Sequence, residues 1–162
     1  MKFLKNSLIV SILLTLTLVS CDKGGNPSPG GTTVQKYAGD WYIKAVDSDG
    51  SDVFDYTLHS TYNTSANDNT MWIDDFENGY WIKCKVTVNL ADGTFSATAS
   101  ENLYDGSLVT ITDGKIEKNA ATSLGGHTVD KISFRAHFDY DSDGYDILYE
   151  GHKRTGFLED EY

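Results

Sequence analysis

The chain has 162 residues and carries 13 Lys plus Arg against 24 Asp plus Glu, a formal net charge of -11. That balance excludes the clustered basic surface that nucleic-acid binding needs. Hydrophobic residues at 40% and aromatics at 12% exclude a disordered chain, and two cysteines exclude a disulfide-dense scaffold, leaving one domain with its own core.

Residues 1–20 read MKFLKNSLIVSILLTLTLVS. Lys2 and Lys5 precede an apolar run from Leu8 to Val19 that is broken only by Ser and Thr. The run is short for a bilayer span and suits a signal peptide. Leu18-Val19-Ser20-Cys21 resembles the lipobox of bacterial lipoproteins. The resemblance implies a diacylglyceryl group on the Cys21 sulfur, cleavage before Cys21 and acylation of the new amine. A protein so modified is held at the cell envelope, with the outer membrane expected, on its periplasmic or surface face. Each buried acyl methylene contributes roughly 0.8 kcal/mol, so several chains anchor firmly. Loss of Lys2 and Lys5 takes the net charge from -11 to -13, so anionic head groups would repel the protein surface and the acyl chains would do the holding. Residues 22–35, DKGGNPSPGGTTVQ, hold both prolines and four of the 15 glycines, the composition of a flexible tether. Thus 21–35 reads as lipidated Cys plus tether, and 36–162 as the folded domain.

After Pro29 no proline occurs, and period-two alternation dominates. Tyr80, Ile82, Cys84, Val86, Val88 and Leu90 form one face, against Trp81, Lys83, Lys85, Thr87 and Asn89. Ile132, Phe134, Ala136 and Phe138 repeat the pattern, as do Phe95, Ala97 and Ala99. Asp-Gly or Asn-Gly pairs at 49–50, 78–79, 92–93, 105–106, 113–114 and 143–144 supply the positive φ that tight hairpins require. The pattern predicts eight strands, at 40–47, 54–63, 69–76, 80–90, 93–102, 107–118, 129–139 and 145–154, with one longer loop at 119–128. The expected class is all-β: an eight-stranded antiparallel up-and-down barrel, which leaves no exposed edge. A two-sheet sandwich is the competing architecture.

Gly39-Asp40-Trp41 on the first strand resembles the Gly-x-Trp signature of lipocalins and the wider calycin group. That resemblance implies barrel closure by Trp41, with the late Arg154 packed across it as a cation–π contact. The lipobox, the Gly-Asp-Trp start, Tyr62-Asn63-Thr64-Ser65 and the closing Gly151-His152-Lys153-Arg154-Thr155-Gly156-Phe157 resemble a narrower group. This is a lipid-binding family of Gram-negative lipoproteins that is also described as hydrolase-like. If Trp41 faces inward, parity places Ile43, Phe54, Tyr56, Leu58, Tyr62, Ile82, Val86, Phe95, Phe134 and Tyr149 around the interior as ligand-lining residues. An apolar, aromatic lining of this kind suits one small apolar molecule or lipid chain.

Other chemistry is less supported by the residues. No Gly-x-Ser-x-Gly elbow is present. His59 and His137 fall on the outward parity of their strands, while His127 has Ser123 and Asp130 nearby in sequence. No catalytic residue is assigned. Cys84 alternates with apolar neighbours and reads as inert core. No His or Cys pair has zinc spacing. Asp139, Asp141, Asp143, Gly144 and Glu150 match a twelve-residue calcium loop, yet they lie between two strand patterns, where Asp-Ser-Asp-Gly also makes an ordinary turn. No other cofactor is implied. Three functions stay open: a lipoprotein binding a lipid or apolar molecule in its barrel; an accessory lipoprotein with a filled barrel that binds glycan or protein through Trp72, Trp81 and Tyr104; and a hydrolase.

Overall fold

The computed structural model describes residues 30–162. The expected signal peptide, the expected lipidation site Cys21 and the expected tether up to residue 29 lie outside the described residues. Thr32–Tyr162 form one compact unit. A 3-10 turn, Gln35–Tyr37, leads into eight strands: β1 (Gly39–Asp47), β2 (Asp52–Asn63), β3 (Thr70–Asp74), β4 (Lys83–Val88), β5 (Thr94–Glu101), β6 (Leu108–Thr122), β7 (Thr128–Phe138) and β8 (Ile147–Lys153). Each pairs antiparallel with the next, and β1 pairs with β8 from Trp41–Lys153 to Asp47–Ile147, so the sheet is a closed barrel. Closure leaves no edge strand, which an open sandwich would have.

Alternation is the cause of the core. In β4 Cys84, Val86 and Val88 are buried while Lys85 and Thr87 are exposed, and β7 buries Ile132, Phe134, Ala136 and Phe138 in the same rhythm. Burying each large aliphatic or aromatic side chain contributes about 1.5–3 kcal/mol. Val34 and Tyr37, ahead of β1, are also buried and plug one end of the barrel.

Three departures from simple alternation matter. In β2, Ile43 pairs with Thr57 but Ala45 pairs with Phe54, so three residues of β2 oppose two of β1. This bulge inverts the parity of everything after Phe54. In β6, Asp113-Gly114 forms a bulge inside the strand instead of a turn, with Asp113 at φ 53° and Gly114 tight against Phe95. A second irregularity in β6, where Asn119 has φ 54°, lets the strand resume and run to Thr122. The expected loop at 119–128 therefore shrinks to a turn between Thr122 and Thr128.

The expected hairpin at Asn78-Gly79 is instead a longer loop, residues 75–82, because β3 stops at Asp74 and β4 starts at Lys83. Phe76, Glu77 and Trp81 have φ of 53°, 62° and 56°, the left-handed region that side chains disfavour and that breaks strand pairing.

Candidate ligand-binding site

Trp41, Ile43, Ile82, Val86, Phe95, Phe134 and Tyr149 are buried inside the barrel, as their parity predicts. Phe54 is half-buried and packs against them. The rings of Phe134 and Tyr149 stack with centroids 4.4 Å apart, and Phe54 meets Tyr149 edge-on at 5.7 Å.

Tyr56, Leu58 and Tyr62 do not line the interior, which corrects the sequence expectation. The β2 bulge turns them outward. Tyr56 stacks on Tyr162 at 4.5 Å, Leu58 pairs with the outward Tyr42, and the Tyr62 hydroxyl donates to Asp74 at 2.7 Å. The same inversion brings His59 inside, against its expected exposure, and it is 1% exposed. His137 stays on the outer face, 3.3 Å from Asp146.

At the plugged end, the Trp41 indole N–H donates to Thr61 Oγ1 at 2.9 Å, and the Thr61 hydroxyl donates to the Tyr37 carbonyl at 2.7 Å. Arg154 does not cover Trp41, which corrects a second expectation. Trp41 pairs with Lys153, so Lys153 shares its face and holds its ammonium 5.7 Å from the indole. Arg154, one residue on, points outward and forks onto Glu161 at 2.9 and 2.8 Å.

The opposite end is covered by the 75–82 loop. Asp75 is fully buried, and its carboxylate accepts the N–H groups of Glu77 at 3.0 Å and Gly79 at 3.2 Å. Burial pushes its pKa up, and no ion pair offsets this among the described residues. Tyr80 packs on Phe138 at 5.1 Å and donates to Asp141 at 3.3 Å. Asp74, on the outer wall, accepts from Lys83 at 2.7 Å and from Tyr62 and Tyr104. Burial works to raise its pKa, but these donors hold it below the usual carboxylate value.

The barrel holds two further polar groups. His59 Nδ1 lies 3.1 Å from the Thr57 carbonyl, so Nδ1 carries the proton and Nε2 is a bare acceptor. Burial lowers the His59 pKa to about 4, keeping the ring neutral near pH 7. Its ring stacks on Phe54 at 5.7 Å and meets Tyr149 edge-on at 6.2 Å. His59 Nε2 and the Tyr149 hydroxyl are both buried without a hydrogen-bond partner among the described residues.

Clefts of about 410, 430 and 330 Å³ open on the outer surface, and none of their linings includes His59 or Tyr149. The interior side chains pack against one another in one cluster.

Catalytic chemistry finds little geometry. Among the described residues no Ser or Cys side chain is hydrogen-bonded to a histidine ring. Ser123 Oγ accepts the backbone N–H of His127 at 3.0 Å, and Asp130 is tied to Lys118 at 2.7 Å, so Ser123, His127 and Asp130 do not assemble as a triad. Burial pushes the Cys84 thiol up to about 12. The calcium pattern does not converge either. Asp141 accepts from Tyr80, and Glu150 pairs with Lys131 at 2.9 Å. Neither they nor Asp139 and Asp143 belong to any metal-holding group of three or more His, Cys, Asp or Glu among the described residues. Of the three aromatics considered for surface contact, Trp81 is 55% exposed, Trp72 lies under the Lys85 ammonium at 5.4 Å, and Tyr104 is bonded to Asp74.

A closed eight-stranded barrel with an apolar, ring-lined interior, plugged at its Gly-x-Trp end, is a lipocalin-like barrel. The chain belongs to the family described as "Lipid-binding putative hydrolase", whose model matches residues 26–158. No curated protein matches the chain.

Proposed function

We propose that this protein is a lipid-anchored envelope lipoprotein that takes the apolar chain of a lipid, or another small apolar molecule, into its barrel. The observation that carries this reading is the aromatic and aliphatic interior, sealed at one end by Trp41 over Thr61 and Tyr37 and covered at the other by a loop instead of paired strand. Membership of a lipid-binding family supports the ligand class. The lipobox-like Leu18–Cys21 supports the anchor.

The test uses residues 32–162, which carry their own core and close their own sheet. Native mass spectrometry after incubation with fatty acids, fatty alcohols and neutral glycerolipids is expected to show one apolar adduct per chain, with a change in Trp41 fluorescence. A bare mass with every probe overturns the reading.

One observation favours a second reading. Phe76, Trp81, Leu103, Leu108 and Tyr140, all at the covered end, are 42–55% exposed. Such a rim suits contact with a glycan or protein partner. A bare mass together with partner binding that is lost in Trp81→Ala would favour it.

A further inference from the structure

The polar atoms inside the barrel deepen the lipid-binding reading, on which this inference rests. We propose that His59 Nε2 and the Tyr149 hydroxyl form a headgroup site for a lipid with a neutral alcohol head, whose O–H donates to Nε2 and whose oxygen accepts from Tyr149.

Both side chains are essentially inaccessible, at 1% and 0% exposure, and both atoms lack a partner among the described residues. Buried polar atoms are ordinarily paired, and each one left unpaired costs stability. Two of them lie on adjoining rings, each packed on Phe54, so one small polar group placed between them could satisfy both. Their chemistry is complementary. The Thr57 carbonyl fixes the His59 proton on Nδ1, so Nε2 can only accept, while the Tyr149 hydroxyl can donate. An alcohol satisfies both at once. An ether can accept from Tyr149 but gives Nε2 nothing.

Charge disfavours an anionic head such as a carboxylate. His59 is held neutral by burial, so it offers no cation. Asp75 lies buried in the loop above, bonded by backbone amides and without an ion pair, and its field reaches Tyr149. Lys83, half-buried in the wall, is spent on Asp74 at 2.7 Å. A second anion beside Asp75 would be desolvated and unpaired.

The experiment compares 1-decanol, its methyl ether and decanoate on residues 32–162 at pH 7.5, read by titration of tryptophan fluorescence and by native mass spectrometry. Decanol is expected to bind about ten-fold more tightly than the ether, the size of one hydrogen bond, and decanoate more weakly than either. Tyr149→Phe is expected to weaken decanol about ten-fold and, by removing an unpaired hydroxyl, to raise the Tm of the ligand-free domain by a few degrees. Equal binding of the three probes, or decanol affinity unchanged in Tyr149→Phe, overturns the headgroup site while leaving barrel binding intact. Binding by none of them overturns the lipid-binding reading as well. If Tyr149→Phe does not fold, the ranking of the three probes on the unaltered chain decides.

Discussion

His59 links burial to a measurable pH response. Its ring is 1% exposed, and burial depresses its pKa from 6.5 to about 4. The unfolded chain therefore takes up a proton on His59 as pH falls below about 6.5, while the folded chain does not until about 4. Stability from this residue is undiminished above pH 6.5 and is lost as pH falls through that window. Between pH 7 and pH 5 the loss is about 2 kcal/mol. Asp75 acts in the opposite sense: burial raises its pKa, so acidification relieves the cost of its buried charge. The comparison of His59→Gln with the unaltered chain isolates the histidine. Urea unfolding at pH 7 and pH 5 should show the unaltered chain losing about 2 kcal/mol more than His59→Gln. Equal losses would mean that His59 takes up its proton in the fold as readily as in the unfolded chain, so that burial does not hold the ring neutral at pH 5.

At the scale of elements, what the sequence made legible depended on whether a strand kept its period. β4 and β7 alternate without interruption, and their expected and observed inward faces coincide. β2 does not, because its bulge adds a residue without any glycine to mark it. The odd positions Thr57, His59 and Thr61 look solvent-facing beside Phe54, Tyr56, Leu58 and Tyr62, so reading parity alone sends the site histidine outside. The β8 register had the same effect on a smaller scale: a late cation over Trp41 was legible, but one residue of parity makes it Lys153 instead of Arg154. The 75–82 loop was hidden because Asn78-Gly79 announces a tight turn, whereas Asp75 gathers the local amides and holds a wider one. Close packing between β1 and β8 leads to the next prediction. A Cβ on Gly151 would stand 2.1 Å from the Tyr42 carbonyl oxygen and 2.7 Å from Ile43 Cα, both backbone atoms that cannot step aside. Gly151→Ala should therefore cost about 2–3 kcal/mol through forced separation of β1 from β8. Chemical denaturation that shows less than about 0.5 kcal/mol of loss would mean that the barrel is not tightly closed at that seam.

For the molecule as a whole, charge and anchor have to be considered together. The net charge of -11 becomes -13 once a leader containing Lys2 and Lys5 is removed. An acidic domain gains nothing from anionic head groups, whose surface potential attracts Lys and Arg and repels carboxylates. The exposed apolar residues near the 75–82 loop are few and sit among Glu77, Asp105 and Asp139, so they offer little to hold such a domain on a bilayer. Membrane retention should then rest on acyl chains at Cys21, at roughly 0.8 kcal/mol per buried methylene. The prediction is an all-or-none change. Expressed in a Gram-negative cell, the full chain should fractionate with membranes and into detergent, resist extraction by high salt, and incorporate labelled fatty acid. Cys21→Ala should lose the label and leave the membrane fraction, with its barrel still folded and still binding its apolar probe. Salt extraction of the unaltered chain, or unchanged membrane retention of Cys21→Ala, would place the attachment in the protein surface and remove the lipoprotein reading, without touching the barrel's own ligand chemistry.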